Sequence, residues 1–275
     1  MTQNEKLTKD YIENGFAVLP RYLPADFIAE LDEAIFRPFD ILAKTILGAI
    51  LPLATDEQHR MEVLKELKKR DECRYLNALK ISQNDPAILA APAHPGIKSA
   101  LGIAGLKVPV LSLKPFPVVL ASDLQVEGGY NFRPPHQEWP VMQGSHNAVV
   151  MWFPLHELSA EHSSLEIYPG SHRRGVLDFE VSRCGSKVVC TDLGEPVRPP
   201  ITAGDIVLFS AFTVHRSAPT ASRLRRAISL RFNDLEDPSF VARGFPDNSK
   251  TVIDRNPIDK LDHRFVHNGE EATRV

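Results

Sequence analysis

The sequence predicts a mainly β protein: an antiparallel sandwich or barrel over about residues 106–235, wrapped by helices from the first 105 residues. Two observations carry this. Before residue 105 apolar side chains recur at helical spacing, and after it the chain turns to β-branched and aromatic runs separated by Pro and Gly. The composition, 43% hydrophobic and 24% charged over 275 residues, suits a globular chain able to bury a sizeable core.

The helices read as follows. Pro24 to Phe36 places Phe27, Ile28, Leu31 and Ile35 on one face, with Asp26 near the positive end of the helix dipole. A second helix runs from about Asp56 through Met61, Val63, Leu64 and Leu67 into Lys68, Lys69 and Arg70, basic where the dipole favours it. The basic run from Lys65 to Arg70 is read as a solvated helix end.

The strands are short. Expected are Val108–Leu111, Pro117–Leu120, Asn147–Phe153, Leu165–Tyr168, Ile206–Phe209 and Ala227–Phe232, with no helix-length pattern between them. The whole chain is expected to form one domain: 1–105 as helical wrap and first strands, 106–235 as the β core, and 236–275 as a polar tail that covers the core or contacts another subunit.

Charge and composition exclude several classes. A net charge of −3 with scattered basic residues argues against nucleic acid as a partner. The stretch Ile41 to Ala54 is interrupted by Lys44 and too short to span a bilayer, and the first ten residues lack a signal-peptide core, so a cytoplasmic location is expected. Cys73, Cys184 and Cys190 form no C-x-x-C clamp and suit a reducing compartment. Nucleotide-binding and hydrolase-elbow motifs are missing from the sequence. His156 to His162 has the composition of a zinc-protease helix, but its histidines are six apart and do not share a helical face, so a surface loop is expected.

One segment could carry chemistry. In Pro134-Pro-His136-Gln-Glu138-Trp139 a strand would point His136 and Glu138 the same way, presenting an imidazole and a carboxylate to one metal. Two histidines and a carboxylate form a facial triad with open positions, the arrangement of non-haem Fe(II) oxygenases. With 10 His and 35 acidic residues, roughly one His-x-acid pair arises by chance, so the context must decide. That context is the turn Ala203-Gly-Asp205, the strand Ile206–Phe209, His215 as third ligand, and Arg225-Arg226 at the head of the next apolar strand. A buried Arg there requires an anionic partner.

Taken in order, Asn14-Gly-Phe-Ala-Val-Leu-Pro20, His136-Gln-Glu138-Trp139, Trp152-Phe-Pro-Leu155, Leu165-Glu-Ile-Tyr-Pro-Gly-Ser-His172, Ala203-Gly-Asp-Ile-Val-Leu-Phe209, His215-Arg-Ser217-Ala-Pro219 and Arg225 to Phe232 make a pattern. It resembles the phytanoyl-CoA dioxygenase family of Fe(II)/2-oxoglutarate oxygenases over roughly residues 8–235. The resemblance implies a double-stranded β-helix, the cupin-like jelly roll. It implies His136, Glu138 and His215 as iron ligands and catalytic residues, with Fe(II) as cofactor and 2-oxoglutarate and O2 as cosubstrates. It also implies an arginine for the far carboxylate of 2-oxoglutarate, assisted by Ser217, with Trp152 as a pocket wall. Counting back from Phe232 selects Arg225, whereas counting on from His215 selects Arg226; neighbours on a strand face opposite sides, and Arg225 is preferred. His172 is read as a turn residue bonding backbone.

The implied reaction is hydroxylation of a small-molecule substrate with release of succinate and CO2. Two departures from the family pattern stand out. Glu138 is one methylene longer than the family's usual Asp, and Ser164 stands where Gly is usual. A carboxylate at 138 also argues against halogenase chemistry. The rival readings are a noncatalytic jelly-roll binding module and a cupin-like isomerase, the latter giving no reason for a buried Arg.

Overall fold

The structure is a computed structural model that describes residues 2–48, 56–126, 133–158, 162, 164–182, 185–190, 192–218 and 223–246. Helix α1 (Gln3–Asn14) starts in a capping box between Thr2 and Glu5 and stops at Gly15, φ 78°. The chain then turns at once into β1 (Phe16–Leu19). A side chain at position 15 would overlap His172 and Thr213, so glycine is required there for space as well as for its backbone.

Helix α2 (Ala25–Leu42) carries the expected apolar face but runs past the expected end at Phe36 and through Pro38. Burial of Phe36 and Phe39 against each other and of Phe39 against Tyr75 holds those turns together and offsets the hydrogen bond that Pro38 cannot make. Helix α3 (Glu57–Arg70) is capped by Asp56, and its basic last turn lies where the sequence places it. Helices α4 (Glu72–Ile81), α5 (Pro86–Ala90) and α6 (Pro95–Ile103) complete the wrap, each begun by a side chain that accepts from the helix's own first amides: Asp71, Asp85 and His94.

The β core begins with β2 (Pro109–Leu120), a single edge strand where two were expected. Its pairing slips between Leu111 and Phe116, and Pro115 and Pro117, which have no N–H to donate, are tolerated on an edge. Then follow α7 (Trp139–Met142), β3 (Val149–Pro154), β4 (Leu165–Ile167), β5 (Phe179–Ser182), β6 (Gly185–Val188), β7 (Ile206–Ser210), β8 (His215–Ser217), β9 (Arg225–Asp234) and α8 (Pro238–Ala242). The main sheet is antiparallel in the order β1-β7-β3-β9-β2, and β4 pairs with β8 and β5 with β6 in smaller sheets. The result is a jelly roll with helices packed on it.

Strand alternation divides the protein into two cores. Val149, Met151, Phe153, Ile206, Leu208, Ile228, Leu230 and Phe232 face the helices. Val150, Trp152, Val207, Phe209 and Ala227 face the inside of the roll with Leu120, Trp139 and Phe212. Among the described residues no helix is long and apolar enough to cross a membrane. Cys73 and Cys190 are free thiols; Cys184 and the tail from 247 to 275 lie outside the described residues.

Candidate metal centre

His136 and His215 are held by one backbone bridge. Each amide donates to the other's carbonyl at 3.0 Å, which sets the two rings 4.2 Å apart between centroids. Glu138 arrives differently from the strand geometry expected of it. Residue 137 leaves the bridge, and Glu138 takes helical angles at the start of α7, its amide donating to Ala211 O at 3.0 Å. Gln137 makes this turn rigid: its Nε2 donates to Gly175 O and Phe212 O, and its Oε1 accepts from Leu177 N. Trp139 then stacks on Phe212, anchoring the other side of the carboxylate.

The three side chains converge and are almost wholly buried. Glu138 Oε1 lies 3.6 Å from the Nε2 of both histidines, beyond hydrogen-bond reach but within reach of a shared ion. Both Nδ1 atoms are engaged with backbone carbonyls, His136 with Pro134 O at 2.8 Å and His215 with Thr213 O at 3.0 Å. A proton on Nδ1 donates to each carbonyl and leaves a lone pair on Nε2, the tautomer that a metal requires. His136 Nε2 is enclosed and has no hydrogen-bond partner, a costly state that a bound ion would relieve. Burial, and then the neighbouring His215, push the His136 pKa down to about 4, so this imidazole is neutral at physiological pH. Donor types, convergence and the enclosed nitrogen all fit a divalent metal.

Burial works against the charge on Glu138, but Arg231 overcomes it and holds the carboxyl well below the usual range. Arg231 Nε donates to Oε2 at 3.0 Å and Nη2 to Oε1 at 2.8 Å, a two-pronged contact inside the roll. Arg231 lies within the last of the sequence blocks, Arg225 to Phe232, where nothing in the block itself assigns it a role. Parity was the available signal, because Arg231 stands six residues beyond Arg225 on the same face of β9.

Arg225 and Arg226 face opposite sides of β9. Arg225 points into the roll, its Nη2 donating to Ser217 Oγ at 3.3 Å and its guanidinium 5.8 Å from the Trp152 ring. Burial pushes its pKa down to about 10. Arg226 points to the helical layer, where Asp32 accepts from it at 2.8 Å and from Arg60 at 2.7 Å. His172 bonds Ile12 O from a tight turn.

The segment read as a surface loop, His156 to His162, is not one at either histidine. His162 is buried with its Nε2 3.3 Å from Glu57 Oε2, and His156 Nε2 accepts from Arg226 N at 3.1 Å. The N-terminus of α3, which supplies Glu57, covers this segment, an encounter that local sequence cannot announce. Glu57, His156 and His162 form the other cluster of possible metal donors among the described residues.

A family model described as phytanoyl-CoA dioxygenase (PhyH) matches residues 11–227. The chain belongs to this family. Among curated proteins it is similar to a methylphosphonate hydroxylase of Gimesia maris, 26% identical over 138 residues, which are 49% of this chain and 51% of that protein. The chain thus spans about half the length of that relative. Among solved structures it is similar to EctD from S. alaskensis, crystallised with 2-oxoglutarate and 5-hydroxyectoine, at 17% identity and a TM-score of 0.54 over 86% of this chain and 77% of that one. It is also similar to the carbocyclase SnoK from nogalamycin biosynthesis, at 18% identity and a TM-score of 0.53 over 90% and 92% of the two chains. At these identities the structural likenesses show a shared fold.

Proposed function

We propose that this PhyH-family chain is an Fe(II)- and 2-oxoglutarate-dependent dioxygenase that hydroxylates a small molecule and releases succinate and CO2. The observation that carries this is the meeting of His136 Nε2, His215 Nε2 and Glu138 Oε1 in one buried spot, with both Nδ1 atoms already engaged. These three residues would hold the metal, and the bound metal with 2-oxoglutarate supplies the activation of O2 that no side chain can perform.

The remaining tasks belong to the chain. The carbonyls of Pro134 and Thr213 keep the two lone pairs aimed at one point. Arg225, buried beside Ser217 and Trp152, is the natural partner for the far carboxylate of 2-oxoglutarate, whose charge offsets that of a guanidinium taken out of water. Apolar walls from Val150, Val207 and Phe209 keep water away from the reacting centre. We read residues 1–275 as one oxygenase domain, a reading supported by the helices packing on the same sheet that walls the site, and the sequence alone suggests that it acts in the cytoplasm.

Iron content together with succinate release tests the reading. One iron per chain and 2-oxoglutarate-dependent succinate formation are expected; iron without succinate under any substrate makes the noncatalytic binding module correct.

A further inference from the structure

The carboxylate of Glu138 is gripped on the face that a chelated metal would use. A carboxylate has about four lone-pair sites, and two of them point inward, between its oxygens. A guanidinium fork and a metal held by both oxygens each need that inward pair, so one excludes the other. Here Arg231 takes it: Nε donates to Oε2 at 3.0 Å and Nη2 to Oε1 at 2.8 Å. The oxygen turned toward the histidines is Oε1, 3.6 Å from both Nε2 atoms. What Oε1 still offers on that side is its outer lone pair.

Both partners of this grip are held in place. Arg231 is buried, and its backbone pairs with Leu113 of β2 on one side and Val150 of β3 on the other. Its guanidinium lies 5.7 Å from the centre of the Phe116 ring. Glu138 is fixed by its amide on Ala211 O and by the turn that Gln137 pins. The need for such a grip follows from the residue at 138. Glutamate has one more rotatable bond than the aspartate usual in the family, so its carboxylate turns more freely and can close on a metal with both oxygens.

The consequence concerns coordination positions. An octahedral metal held by two imidazoles and one carboxylate oxygen keeps three positions open, whereas a carboxylate bound through both oxygens leaves two. Under the reading above, 2-oxoglutarate takes two positions and O2 needs a third. We infer that Arg231 is a positioning residue that limits Glu138 to a single metal bond, through Oε1, and so preserves the third open position. This rests on the metal reading above and adds to it the residue that sets how the carboxylate binds.

The test uses the full chain under anaerobic conditions with Fe(II) and 2-oxoglutarate, and nitric oxide as an unreactive stand-in for O2. The metal-to-ligand absorption band reports the bound 2-oxoglutarate, and the spin-resonance signal of the nitric oxide complex reports the third position. In the wild type both signals are expected together. In Arg231→Met iron is expected to bind at least as tightly as in the wild type, because a second carboxylate oxygen joins it. Nitric oxide is expected to bind the 2-oxoglutarate complex of that variant about tenfold or more weakly, the size of one charged contact that must break to admit it. Arg231→Lys, which keeps the charge without the fork, is expected to fall between the two. Unchanged nitric oxide affinity in Arg231→Met overturns the inference. So does a parallel loss of iron and nitric oxide, which marks Arg231 as structural support alone. Where the variants fail to fold, the wild type with isotope-labelled glutamate carboxyls decides: its metal-induced infrared difference is expected to show the wide splitting of the carboxylate stretches that binding through one oxygen gives, and a narrow splitting overturns the inference. Failure of the underlying reading looks different: no absorption band forms in the wild type at all.

Discussion

Two clusters in this molecule share nearly the same inventory. His136, Glu138 and His215 lie inside the roll, and Glu57, His156 and His162 lie where α3 meets the segment after β3; each has two histidines, a glutamate and an arginine on that glutamate. What separates them is which atoms are already engaged. In the first, the hydrogen bonds fall on Nδ1, and both Nε2 atoms face a common oxygen. In the second, His156 Nε2 accepts from Arg226 N and His162 Nε2 bonds Glu57; the glutamates do not separate the clusters, since each already carries an arginine. Proximity of donors is therefore not sufficient for a metal centre; the lone pairs must be left over.

The largest expected effect would break that comparison outright. His136→Ala and His215→Ala should each take bound iron from one per chain to none and abolish succinate release, while His156→Ala and His162→Ala should leave one iron in place. Elemental analysis of the four purified variants checks this. Two metals per wild-type chain, or iron retained in His215→Ala, reverses the assignment.

Next in size are the two glutamates. Glu138→Gln leaves Arg231 buried against a neutral amide, a loss of about 3–5 kcal/mol in metal-free stability. Glu57→Gln lies nearer solvent and should cost about 1 kcal/mol or less. Urea midpoints of the two variants measure the difference. Glu138→Asp keeps charge and donor type, so it should retain measurable iron affinity where Glu138→Gln does not.

The paired arginines of β9 sharpen the inside–outside contrast. Arg225→Lys should weaken 2-oxoglutarate by about 2–5 kcal/mol, because an ammonium cannot copy the planar fork. Arg226→Lys should leave that affinity unchanged and show only as a modest loss of thermal stability through Asp32. Anaerobic titration of the Fe(II)-loaded variants separates them; a weakened Arg226→Lys with normal Arg225→Lys would exchange their roles.

The smallest effect concerns pH at the second cluster. Burial, and then the charge of Arg226, push the His156 pKa down to about 3, whereas an unfolded imidazole protonates near 6.5. Below about pH 6.5 the unfolded chain binds the extra proton, so stability should fall with falling pH by up to about 1.4 kcal/mol per unit from this group. His156→Gln should flatten that slope in denaturation curves between pH 7 and 5.

Much of the fold was legible because burial was uniform. β3, β7 and β9 are buried along their whole length, so their β-branched and aromatic runs stand out in the sequence. β1 and β8, of four and three residues, are too short to show a period. α2 outran its expected end because a tertiary contact, Phe39 on Tyr75, outweighed a local breaker.

The candidate site divides along the same line. By itself the sequence determined which residue types could serve: two histidines and a carboxylate in an ordered set of blocks, an arginine pair at a strand head, and the alternation that allows one of that pair to look inward. Only the tertiary structure decided how they meet. Glu138 reaches the histidines by a helical turn pinned through Gln137 and not by strand parity, and Arg231 lies 93 residues further along the chain. Hydrogen-bond partners that distant are set by packing, and no spacing rule within a single segment encodes them.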